Sequence, residues 1–289
     1  MKKIIVSFIA FIALLTGCEE DINLSIIGGD RKIVIEGSIE NGEVATVIVT
    51  RNSPLSQTVD FSKILVTDAQ VFVSDGTVTE QLIFAVDSTA SIPFIYEGNS
   101  IIGMPGKTYY LTVIADGQTF TATTTIPAPV ALDSVWWIPQ PPEDSLGFAW
   151  GHLSEPVGVG NAYRWLAKRA TKDRRYIAPF GATFDDKYID GKSFDFAYNR
   201  GDDPTVDPNI TDSISKNEEG YFKNTDTIYV KFTTIDHNSA KFYTTFESAL
   251  QSNGNPFASP VTVLSNIKGG ALGVWAGFGV TYDTIMPTP

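Results

Sequence analysis

Two histidines, His152 and His237, and one cysteine, Cys18, are the side chains of this 289-residue sequence best suited to nucleophilic or metal chemistry. They stand in three separate segments. A zinc site needs three or four Cys, His or carboxylate ligands, and these three residues do not supply one. A lone cysteine also cannot pair within the chain, so burial alone must hold the fold. A serine activated by a histidine and oriented by an acid stays open in chemical principle. However, His152 follows Gly151 in a strand-like run and His237 stands at a helix start, where capping is the ordinary role. The residues point away from an enzyme.

The acids give little more. Asp185 with Asp186, and Asp202 with Asp203, are neighbours in sequence, whereas glycoside hydrolysis needs two carboxylates facing each other across a cleft. Asp202, Asp203, Asp207, Asn209 and Asp212 crowd one segment with oxygens, and calcium takes six to eight such ligands. The spacing lacks the turn glycine and twelfth-position Glu of an EF-hand. A solvated acidic loop is the plainer reading, so no metal or cofactor is assigned.

Trp136 and Trp137 are the sharpest binding candidates. Adjacent residues of a strand point to opposite faces, so at most one of the pair enters a given core. The other can stack on a sugar ring, or be covered at a seam. Trp150, Trp165 and Trp275 are expected in the core. Six Asp-Ser and Asp-Thr steps place Ser88, Ser134, Ser145, Ser213, Thr227 and Thr284 in a pattern that resembles the acceptor triplet of the Bacteroidetes O-glycosylation system. Turn chemistry before strands produces the same dipeptides.

The amino terminus gives an address. Lys2 and Lys3 precede IIVSFIAFIALL, an apolar run too short to span a bilayer as a helix. Leu15-Thr16-Gly17-Cys18 then resembles the bacterial lipobox, which predicts a signal peptide over 1–17 and lipid on Cys18. Two or three acyl chains, at about 0.8 kcal/mol per buried CH₂, make such an anchor effectively permanent. Glu19, Glu20 and Asp21 resemble the acidic export signal of Bacteroidetes lipoproteins, which implies an outer-membrane protein facing the cell exterior. Residues 18–31 read as an acidic tether.

A formal net charge of −12 excludes the basic surface that nucleic-acid binding needs. The one basic run, 168–175, reads as a solvated strand end and turn.

The elements that must position these residues are strands. Short β-branched and aromatic runs from residue 32 onward alternate with turn signals, and Asp75-Gly76 and Asp116-Gly117 are each read as tight hairpin turns. About seven strands fill 32–127, which predicts an immunoglobulin-like or fibronectin-like sandwich. Pro127 and Pro129 mark a boundary. A second β-domain follows over 132–286, with a long acidic loop at 200–220 and one helix near 238–251, capped by Asn or Ser. Phe242, Phe246 and Leu250 recur every four residues and predict its apolar face. Near the carboxyl terminus, Gly273, Gly277 and Gly279 share a strand face with Trp275. That face would admit a close backbone or partner, the helix being one candidate.

TYYLTVIADGQTFTATTTIP, LDSVWW and the block GNPFASPVTVLSNIKGGALGVWAGF together resemble the DUF4249 family of Bacteroidetes lipoproteins over nearly the whole mature chain. The specific part is the last block, with Asn255-Pro256-Phe257, Pro260, Ser265-Asn266-Ile267 and Gly269-Gly270 in order. Ala271 departs from its usual glycine-rich run. The resemblance implies no catalytic activity. It implies an accessory or substrate-capture role beside a TonB-dependent outer-membrane receptor, with a structural or adhesive surface protein as the alternative and a glycan-active hydrolase as a distant third.

Overall fold

The computed structural model describes residues 31–53, 64–86, 94–201, 220–252, 259 and 261–287. The alternation seen in the sequence becomes fifteen strands: β1 (Ile33–Glu40), β2 (Val44–Arg51), β3 (Gln70–Ser74), β4 (Thr79–Val86), β5 (Phe94–Ile102), β6 (Thr108–Ala115), β7 (Gln118–Thr125), β8 (Ser134–Gln140), β9 (Glu143–Ser154), β10 (Ala162–Arg169), β11 (Thr183–Asp185), β12 (Ser193–Tyr198), β13 (Phe222–Lys223), β14 (Ile228–Ile235) and β15 (Leu272–Ile285). One helix, α1 (His237–Ser252), lies between β14 and β15. The described elements are thus all-β with a single helix.

One long sheet runs in the order β11-β10-β14-β15-β1-β2-β5-β4-β3-β6-β7. Its amino-terminal half closes over a core that includes Ile35, Val47, Val71, Tyr109, Leu111 and Phe120. A second sheet has β9 at its centre, with β8 along one edge and β12 and β13 along the other. It packs on the β10-β14-β15 part of the long sheet around Leu153, Tyr163, Trp165 and Phe232.

No ladder strand occupies 126–133, as the prolines require. Pairing nevertheless joins the two ends of the chain, since β1 lies parallel to β15 from Val34↔Leu272 to Glu40↔Phe278. The last strand therefore contributes Trp275 to the amino-terminal core.

The two hairpin signals resolve differently. Asp116 and Gly117 both have positive φ, 52° and 72°, and join Ala115 to Gln118 in the tight turn that such residues favour. Between β3 and β4 the loop is wider. Its closing pair is Ser74↔Thr79, and Asp75 Oδ1 accepts from the backbone N–H groups of Thr77 and Val78 at 2.9 and 2.8 Å.

Strand β15 is buried on both faces. Its glycine face lies against the segment leaving β7: Gly277 N donates to Thr124 Oγ1 at 2.7 Å, and a Cβ at Gly277 would stand 2.9 Å from the Thr125 carbonyl oxygen. Helix α1 is on the other face, where Ala240, Phe242 and Tyr243 meet Val274, Ala276, Phe278 and Val280. The helix is thus not the neighbour of the glycines.

Nor does α1 bury the face expected from its apolar spacing. Phe246 and Leu250 are exposed, while Ser239 and Ala240 are buried. Docking runs instead through Tyr243, whose ring lies 3.9 Å from the Arg164 guanidinium carbon, and Glu247, which accepts from Arg164 Nη1 at 2.9 Å. An ion pair and a cation–π contact hold the helix where periodicity predicted only hydrocarbon. The cap is Asp236, whose Oδ1 accepts from Asn238 N and Ser239 N at 2.9 and 3.1 Å, rather than the Asn or Ser of the sequence reading.

The basic run is likewise less solvated than expected. Arg169 is buried at the end of β10 and donates to both carboxylate oxygens of Asp173, and Lys172 donates to buried Asp226 at 2.7 Å.

Candidate functional site

The β8-β9-β12 register decides what the second sheet shows to solvent. Ser134 lies opposite His152, Trp136 opposite Trp150 and Ile138 opposite Phe148. On the other side of β9, His152 faces Asp195 and Ser154 faces Ser193. Successive side chains alternate between faces, so these residues share the outer surface. Val135, Trp137, Leu153, Phe194 and Phe196 take the inner one and pack on the core.

The tryptophan pair is therefore split as strand geometry demands. Trp137 turns inward and its indole N–H donates to the Phe222 carbonyl at 3.3 Å. Trp136 turns outward and stacks on Trp150, with centroids 6.2 Å apart and planes 20° from parallel. Trp165 and Trp275 are core residues, fully buried. Trp150 is not one of them: the register places it on the outer face, half-buried, with its indole nitrogen shielded and lacking a hydrogen-bond partner. Phe148, packed 5.2 Å from Tyr221, extends the aromatic surface.

Two residues along β9 from Trp150, the outer face turns polar. His152 Nδ1 is 2.5 Å from Asp195 Oδ1 and His152 Nε2 is 2.8 Å from Ser193 Oγ. Ser193 Oγ also lies 3.1 Å from Ser154 Oγ. A carboxylate only accepts, so the Asp195 contact favours the tautomer with its proton on Nδ1. Nε2 is then free to accept from Ser193. Ser154 is itself fixed by its backbone N–H, which donates to Asp133 Oδ2 at 2.7 Å. The His152 and Asp195 side chains remain 34% and 53% exposed, so the group is open to solvent.

Beyond Ser154 and Ser193 the two strands lead into loops tied by three carboxylates, Glu155, Asp186 and Asp190, whose oxygens lie within 4.8 Å of one another. This is the described grouping with the oxygens to meet a hard cation. Its oxygens already accept from the chain: Glu155 from Tyr163 Oη at 3.0 Å and Gly191 N at 2.6 Å, Asp186 from Gly160 N and Asn161 N at 2.7 Å each, and Asp190 from Gly158 N at 2.7 Å. The cluster shapes the loops beside the serines.

A family model described as Domain of unknown function (DUF4249) matches residues 19–283. The chain belongs to this family. No curated protein matches the sequence. The outer face of the second sheet thus lies within the matched DUF4249 region.

Other expected sites are scattered. Cys18, Glu19, Glu20, Asp21, Ser88, Asp202, Asp203, Asp207, Asp212 and Ser213 lie outside the described residues. Ser134, Ser145 and Thr284 are exposed and Thr227 is half-buried beside buried Asp226. The sequence does not single out Ser193 or Asp195, and it reads Trp150 as core. The alternations His152-x-Ser154 and Ser193-x-Asp195 are visible in the sequence, but the register that brings them together is not.

Proposed function

We propose that this protein is a lipid-anchored cell-surface binding protein, acting as accessory or substrate-capture partner of a TonB-dependent β-barrel receptor. The observation that carries the binding role is the outer face of the second sheet. There the stacked pair Trp136 and Trp150 adjoins the polar group His152, Asp195 and Ser193. Flat apolar surface beside directional hydrogen-bonding groups is the combination that recognises sugar rings. The lipobox-like Leu15-Thr16-Gly17-Cys18 and the acids Glu19, Glu20 and Asp21 support attachment to the outer membrane with the fold facing outward.

The test has two parts. Purification from cells in mild detergent should recover a β-barrel receptor in fixed ratio, and recovery of the protein alone would favour the structural or adhesive role. Cys18→Ala should release the protein from the membrane fraction, and unchanged partition after a carbonate wash would overturn the anchor.

A further inference from the structure

We propose that Ser193 is a nucleophile for acyl transfer, with His152 as its general base and Asp195 as the residue that orients His152. The geometry meets the two requirements of an activated serine. The nucleophile lies within hydrogen-bond reach of the base, at 2.8 Å, and the base is held through its other nitrogen by a carboxylate at 2.5 Å. The three residues come from two strands in fixed register, Ser193 and Asp195 from β12 and His152 from β9. Their mutual placement is therefore built into the ladder rather than left to a loop. The face is exposed, so an ester and then water can reach it.

The chemistry balances with water as the only co-reactant. Ser193 Oγ attacks the acyl carbonyl carbon while its proton passes to His152 Nε2, and the imidazolium is stabilised by Asp195. Collapse of the tetrahedral adduct breaks the bond to the alcohol oxygen, which leaves with the proton from Nε2. Water, deprotonated by His152, then attacks the acyl-serine and releases the acid, returning the proton to Ser193 Oγ. The Ser154 hydroxyl, 3.1 Å from Ser193 Oγ, is a donor beside the carbonyl oxygen where negative charge develops.

The neighbourhood suggests the substrate class. Trp150 stands two residues from His152 on the same face, about 7 Å along the strand. An alcohol half with a flat apolar side would rest on the Trp136–Trp150 surface. The class is a small acyl ester of a sugar-sized ring. This second element rests on the binding role proposed above, whereas the reactivity of Ser193 does not.

The full-length lipoprotein purified in mild detergent is treated with an alkyl fluorophosphonate, and the modified residue is located by mass spectrometry. Ser193 should be labelled, and His152→Ala should slow labelling by about a hundredfold or more. Asp195→Asn should slow it while leaving the melting temperature unchanged. Absence of label on Ser193, or an unaltered rate in His152→Ala, would overturn the proposal. p-Nitrophenyl acetate hydrolysis that survives Ser193→Ala would do the same. For the alcohol half, Trp136→Ala should raise KM for peracetylated glucose about fivefold to tenfold more than it raises KM for ethyl acetate, whose alcohol half has no flat face to stack. Equal effects on both esters would overturn the sugar assignment and leave the nucleophile standing.

Discussion

The indole N–H of Trp275 donates to the backbone carbonyl of Tyr109 at 3.1 Å, across 166 residues of sequence. Both side chains are fully buried. The carboxyl-terminal strand thus supplies the largest side chain of the core formed by β1–β7, and its polar atom is satisfied there. Replacing Trp275 by Ala should cost about 3 to 5 kcal/mol. Denaturant unfolding of Trp275→Phe provides a milder check, with a smaller loss from the unpaired carbonyl. No change in either variant would mean that β15 does not belong to that core.

Gly277 gives a second test of the same seam. A side chain there would press on the backbone at Thr125 and Ile126, at 2.9 and 3.0 Å, which neither a rotamer change nor a flexible neighbour relieves. Gly277→Val should destabilise by about 1 to 3 kcal/mol, read as a fall in melting temperature.

Asp236 caps α1 and accepts from Thr124 Oγ1 at 2.5 Å, tying the helix to the end of β7. Asp236→Ala should lose about 1 to 2 kcal/mol, and Asp236→Asn much less. A flat alanine result in thermal unfolding would show that packing alone seats the helix.

Acid should weaken the amino-terminal half through Glu80. Burial raises the pKa of this carboxyl, but hydrogen bonds from the N–H groups of Ile101, Asn99 and Ser100 outweigh it and hold the pKa below its usual value. A group with a lowered folded pKa contributes stability above its unfolded pKa, about 4.3 for Glu. That contribution is lost as pH falls through the folded value. Asp75, paired with Lys107, and Asp116, paired with Arg51, have lowered pKa values in the same sense. The melting temperature should drop below about pH 4, and Glu80→Gln should lower it at neutral pH while flattening the acid slope.

Local rules were legible where one element decides the outcome. The alternation of β1, the tight turn at Asp116-Gly117 and the opposed faces of Trp136 and Trp137 all follow from neighbours in sequence. Pairings between distant strands were not legible. Nothing near Ser193 reveals that it lies across from Ser154, 39 residues earlier, and nothing near Trp150 reveals that its row belongs to the outer face. The helix departs from its apolar pattern for a different reason. Its docking surface includes Glu247, which apolar periodicity assigns to solvent, whereas Arg164 makes it part of the interface.

The parallel ladder between β1 and β15 also has a mechanical meaning. Any pull on the residues before Ile33 enters the fold along the axis of β1, which is bonded on one side to β2 over six register positions and on the other to β15 over seven. Such a load shears both ladders together instead of opening them one bond at a time. The first strand is therefore placed to resist extraction by its own leading segment.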